Sequence, residues 1–266
     1  MRGGQAQTEY GNLAAAGDRR DPVLTARPVG ENRKVAVPET PRRERGAGKT
    51  EEPQPGHADG SGPHSLPGTS HSPPAARVAL PRDPSALAPV PTELWRIVDE
   101  GLTALDVSLP PAARDAIEAH LRLLLAWNEH VNLTALRTPE QVARGHVLDS
   151  LSALPTIARM AARPSILDLG SGGGFPGLPL AATLPASRCA LVDSVRKKAA
   201  FLEVAAAAAA AALQAGGVEP PEVAALAERA EDLAHDPDQR AAWDVVVVRA
   251  VGSLAEVIEL GLPLVR

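Results

Sequence analysis

The segment Leu167-Asp168-Leu169-Gly170-Ser171-Gly172-Gly173-Gly174-Phe175 constrains this chain more than any other. A short apolar run from Ser165 to Leu169 carries an acidic residue straight into a glycine cluster, and a helical pattern from Phe175 to Leu184 follows. Strand, glycine turn and helix in that order form the opening unit of a parallel α/β sheet. Glycines in the turn let the backbone approach a ligand closely and take positive φ. The loop is built to sit against something.

The same alternation continues downstream. Cys189 to Asp193 reads as a second strand and Val195 to about Leu213 as a helix that contains the alanine run 205–212. Val223 to Ala227 reads as a third strand, and Trp243-Asp244-Val245-Val246-Val247-Val248-Arg249 as a fourth. Unbroken valines suit a strand covered on both faces. The alternation predicts a doubly wound parallel sheet, a Rossmann-like α/β domain over residues 163–266.

A helical region, residues 91–162, precedes it. Thr92 caps a helix to about Leu105, and Pro110 and Pro111 open a second whose stripe is Ile117, Leu121, Leu124 and Leu125. A third is expected from Thr138-Pro139-Glu140-Gln141, carrying His146, Asp149 and Ser150.

Composition separates these regions from residues 1–90, which are rich in Pro, Gly, Ser and scattered charge. Such a stretch cannot bury enough apolar surface to offset its conformational entropy, and a disordered tail is expected. Of 27 Lys+Arg and 32 Asp+Glu, 12 and 10 fall in the tail, so the domain carries the acidity. That balance argues against coating nucleic acid non-specifically, and leaves room for one local basic patch. The single cysteine, Cys189, cannot form an intrachain disulfide and reads as a buried hydrophobe in a reducing compartment. No apolar run is read as a membrane span of about 20 residues. No secretory apolar core opens the chain, and Glu9, Asp18, Asp21, Glu31 and Glu39 interrupt any transit-peptide pattern. A soluble cytoplasmic protein is expected, a monomer without metal.

Two ligands compete for the loop. Gly172-Gly173-Gly174-Phe175-Pro176-Gly177 matches the dinucleotide fingerprint G-x-G-x-x-G, but Asp168 just before it would repel a pyrophosphate. An acid there suits a cation better, and S-adenosylmethionine is cationic at its sulfonium and amino group. Gly170, Gly172 and Gly174 are the candidate contact glycines. Asp193, at the end of the second strand, can accept hydrogen bonds from two ribose hydroxyls, a demand shared by both cofactors. In Arg229-Ala230-Glu231-Asp232 the acidic pair either meets an adenine edge or is a solvated helix start.

Trp127-Asn128 with Asn132-Leu133-Thr134, His146 with Asp149-Ser150, Gly170 to Gly177, Leu191 to Ser194, Lys197-Lys198 with Phe201-Leu202, Ala230-Glu231, and Asp244 to Val251 occur in that order. Together they resemble the ribosomal RNA small-subunit methyltransferase G family, also called glucose-inhibited division protein B, over roughly Thr92 to the end. The resemblance implies a class I methyltransferase fold, with S-adenosylmethionine held by Gly170, Phe175, Ala230, Glu231 and Arg249, and a methyl group passed to N7 of a guanine in 16S ribosomal RNA. Guanine N7 carries a free lone pair, so no dedicated catalytic residue is expected. A nicotinamide-dependent oxidoreductase and a non-catalytic RNA-binding protein are the alternatives.

Several residues keep two readings. Arg249 either contacts cofactor or phosphate, or pairs with a nearby acid. Arg196-Lys197-Lys198 either binds RNA phosphate or is a solvated first turn. His146 reads as a packed or capping histidine before a substrate contact, Trp127 as packing, and Asn128 and Asn132 as partners of backbone ends. The family continues past Leu262 to Arg266 with a glycine turn and further strands, so the resemblance implies a C-terminally truncated chain, expected to be poorly soluble or inactive alone. The extension before Thr92 departs from the family too, as a mis-set start or a dispensable tail.

Overall fold

The computed structural model describes residues 79–184 and 187–266; residues 1–78 of the expected disordered tail lie outside the described residues. Leu80 to Arg266 belongs to one compact unit. Structure begins before the predicted boundary at residue 91. Asp83 caps a 3-10 turn at Pro84–Ala86, and Val90 is buried with its amide donating to Glu118 Oε1 at 2.9 Å. The Trp127 indole N–H donates to the Pro81 carbonyl at 2.7 Å. These contacts join segments too far apart in sequence for composition to reveal.

Helix α1 spans Thr92–Leu105 and α2 spans Pro111–Trp127. Thr92 lies inside the first turn, and Pro91 takes the cap position without a side-chain bond. The expected third helix is broken. Thr138 and Gln141 form a capping box for α3, Pro139–Val142. The backbone then widens into a π-helical turn, Ala143–Leu148, before α4 (Asp149–Leu151) and α5 (Leu154–Met160). His146 and Asp149 therefore lie on a distorted element and not on a regular helix.

Strands β1 (Ser165–Leu169), β2 (Arg188–Val192), β3 (Glu222–Leu226) and β4 (Val245–Val248) form a parallel sheet of order β3-β2-β1-β4. Between them run α6 (Gly177–Thr183), α7 (Arg196–Ala215) and α8 (Ala230–His235), and α9 (Leu254–Gly261) follows β4. The strand alternation sorts side chains to two faces. Ile166, Cys189 and Leu191 join a core with α1, α2, α6 and α7, whereas Leu167, Leu169, Ala190 and Val192 pack with Leu233, Trp243 and Leu264. The first core runs from Val90 to Val245, so residues 91–162 and 163–266 share it. The four valines of β4 are only partly covered: Val245 is buried and Val246 to Val248 are half-buried.

Helix α7 has the length and apolar composition of a membrane span. That property goes unnoticed when the alanine run is read as biased sequence. In the fold Ala205, Ala208 and Ala209 are buried, and the helix packs mainly against α2, where small side chains permit close approach.

Candidate cofactor site

The strand order reverses between β1 and β4, both of which neighbour or flank the first glycine turn, and such switch points are where open α/β sheets bind ligands at their carboxyl ends. Gly170 and Gly172 take φ of 72° and 57°. A Cβ at Gly172 would find nothing closer than 3.7 Å, so glycine there answers the backbone conformation. Gly174 also takes a positive φ, 88°, and is buried besides, so a Cβ would lie 2.9 Å from His120 Nε2.

Asp168 does not face a ligand. It lies on the face of the sheet under α6, fully buried, and Oδ2 accepts from the Ser171 hydroxyl at 2.7 Å and the Gly177 amide at 2.8 Å. The carboxylate thus occupies the start of α6, where a dinucleotide would place its pyrophosphate. Burial raises its pKa to about 6 against the lowering effect of these two bonds. Burial, with the Asp168 charge, also pushes the Cys189 thiol well up, and the cysteine is inert.

Asp193 follows β2 directly beside the loop. Its Oδ2 accepts from the Gly172 amide at 3.1 Å and its Oδ1 from the Val195 amide at 2.8 Å, with Lys198 Nζ 3.9 Å away. Each oxygen keeps lone-pair capacity for one more donor. At the end of β3 on the same edge, Ala230 is half-buried and Glu231 and Asp232 are exposed in the first turn of α8.

Phe175, within the glycine loop, and Arg249, just after β4, both contact His146 of the helical region. The Phe175 ring is buried, stacked on His146 at 4.2 Å and tilted against His120 at 4.6 Å. Arg249 pairs with Asp149 at 3.0 Å and donates to His146 Nδ1 at 2.7 Å, so it has the acid partner that the sequence left open. Trp127 is core, as expected, and the Asn128 side chain satisfies the turn at residues 133–134: its Oδ1 accepts from the Leu133 and Thr134 amides and its Nδ2 donates to the Thr134 carbonyl. Arg196 and Lys197 lie exposed at the start of α7.

His120 was missed by sequence reading. From α2 its Nε2 donates to the Gly173 carbonyl at 2.7 Å, tying the helical region to the glycine loop. Full burial lowers its pKa to about 4. The available signal was its position at helical spacing within the apolar stripe of Ile117, Leu121 and Leu124, where a polar side chain needs a partner. Among the described residues, no group of three or more His, Cys, Asp or Glu side chains is placed to hold a metal ion.

A parallel sheet of this order, with a glycine loop after β1, a carboxylate after β2 and an acidic helix start after β3 on one edge, is the Rossmann-like fold of the class I methyltransferases. The family model described as rRNA small subunit methyltransferase G matches residues 113–266. Relatives called ribosomal RNA small subunit methyltransferase G occur in Sorangium cellulosum (strain So ce56), 40% identical over 191 residues that cover 70% of this chain and 76% of that protein, and in Burkholderia pseudomallei (strain 668), 40% identical over 172 residues covering 65% and 70%. The chain belongs to the rRNA small subunit methyltransferase G family and is a methyltransferase.

Proposed function

We propose that this enzyme transfers the methyl group of S-adenosylmethionine to N7 of a guanine in 16S ribosomal RNA. The observation that carries the reading is the Asp193 carboxylate, hydrogen-bonded to the Gly172 amide of the glycine loop at the carboxyl edge of the sheet; the names of the relatives support the RNA substrate. When bound, the cofactor supplies a methyl group activated by its sulfonium. Asp193, already rigid through two backbone amides, accepts the ribose hydroxyls on its remaining lone pairs. Gly170, exposed, and Gly172, half-buried, both at positive φ, would let the cofactor approach the main chain, and Glu231 at the start of α8 serves the adenine end.

Guanine N7 has no proton to lose, so no side chain needs to take one. The residues act by orientation and by excluding water. The base is presented from a loop or a splayed stack, because the major groove of A-form RNA admits no active site. Lys197, exposed in the first turn of α7 close in sequence to Asp193, would contact the RNA backbone.

Calorimetric titration of S-adenosylmethionine, S-adenosylhomocysteine and NAD into the chain tests this. The first two are expected to bind, and Asp193→Ala to weaken both by roughly tenfold to a hundredfold through loss of a charge-assisted contact. Binding of NAD alone overturns the reading. Methylation of 16S ribosomal RNA by the wild type, mapped to the base and atom, tests the substrate.

A further inference from the structure

Arg249 follows β4 at the carboxyl edge of the sheet, and its guanidinium is held by three acceptors from one stretch of chain. Nη1 donates to the Gly145 carbonyl at 2.5 Å and to Asp149 Oδ2 at 3.0 Å, and Nη2 donates to His146 Nδ1 at 2.7 Å. The π-helical turn explains why a backbone acceptor is there. In an α-helix the Asp149 amide would take the Gly145 carbonyl. Here that amide turns to the Arg144 and His146 carbonyls instead, and Gly145 accepts from Arg249. π-turns of this kind gather at functional sites.

The protonation state of His146 follows from its partners. Arginine keeps its protons, so Nδ1 must accept and the ring proton sits on Nε2. Nε2–H then donates to Thr134 Oγ1 at 2.7 Å, and that oxygen also takes the Leu136 amide at 3.0 Å. Asn128 fixes the Thr134 backbone, and the imidazole lies flat on Phe175 at an angle of 4°. Both ring nitrogens and one ring face of His146 are thus engaged.

We propose that His146 is a positioning residue for methyl transfer: a neutral imidazole that aims the Arg249 guanidinium at the reacting edge of the sheet, with Gly145 and Asp149 completing the cradle. The proposal rests on the methyl-transfer reading above. Stability alone does not account for the arrangement. The ion pair to Asp149 is solvent-exposed, with side chains 27% and 53% accessible, and such pairs contribute little. An imidazole buried beside a guanidinium is itself disfavoured as a cation, and burial followed by the Arg249 charge lowers the His146 pKa to about 4. What the cradle does achieve is one orientation of one long side chain.

The test compares His146→Asn, whose amide oxygen reaches the Nδ1 position, with His146→Gln, which reaches only the Nε2 position, and with His146→Phe, which keeps the stack on Phe175. Ring-nitrogen NMR of the wild type should show the proton on Nε2 and no titration between about pH 6 and 8. kcat is expected to fall roughly tenfold to a hundredfold in the Gln and Phe variants and to stay near wild type in the Asn variant. Neither the Gln nor the Phe variant should lower kcat further in an Arg249→Gln background. A proton on Nδ1, equal kcat in the Asn and Gln variants, or losses that multiply with that of Arg249→Gln overturns the proposal. A wild type that binds S-adenosylmethionine but methylates no ribosomal RNA overturns the functional reading and the positioning role with it, while a Nε2–H tautomer in that case still reports the cradle intact.

Discussion

The Gly177 amide, the first of helix α6, donates to the buried Asp168 carboxylate at 2.8 Å, so the acid next to the end of β1 caps the helix that follows the glycine loop. This one bond rigidifies strand, loop and helix together and closes the helix start to an anionic ligand. Because burial raises the Asp168 pKa to about 6 from 3.8, the folded state favours the protonated acid. Its contribution to stability is fully present below about pH 4 and is lost as pH rises through about 6, a difference on the order of 3 kcal/mol. Asp168→Asn lacks this titration. Urea unfolding at a series of pH values should show the Asn variant gaining on the wild type between about pH 4 and 6; parallel curves would contradict the burial argument.

Gly177 also leaves no room for a side chain. A Cβ there would collide with Leu191 Cδ2 and lie 2.7 Å from Asp168 Oδ2. Gly177→Ala should destabilise the fold by about 1–3 kcal/mol, because both neighbours are fixed in the core. Thermal unfolding of the variant measures this, and an unchanged midpoint would mean that the loop can shift to accept the methyl group.

His120 links α2 to the Gly173 carbonyl and is held neutral, its pKa lowered to about 4 by burial. A depressed histidine pKa gives stability that is present above its ordinary value of 6.5 and lost as pH falls toward 4. His120→Leu should therefore flatten the acid limb of the stability curve over that window. At neutral pH it should cost about 1–3 kcal/mol through the unpaired carbonyl. Denaturant titrations at both ends of the window check the two effects separately.

The segment before α1 is held by the Trp127–Pro81 and Val90–Glu118 hydrogen bonds. A chain starting at Pro91 should unfold at lower urea than one starting at Ala79, by about 1–3 kcal/mol for the two lost bonds and the exposed Val90 site. Coincident transitions would show that the fold starts at the boundary suggested by composition.

Local pattern alone carried much of this protein. The apolar strand running into Gly170, the valines of β4, the proline start of α2 and the spacing from the loop to Asp193 are all short-range features, set by backbone sterics and by periodic burial. They were enough for the sheet, its helices and the carboxylate beside the loop. What tertiary structure decided lies between residues distant in the chain. Asp168 caps α6 because the strand pleat turns it under that helix; His120 reaches Gly173 across 53 residues; and Arg249 meets His146 across 103. A buried polar group must find a partner wherever the fold brings one, and a sequence names the group without naming the partner, because which partner comes within hydrogen-bond reach depends on how helices and sheet pack around it.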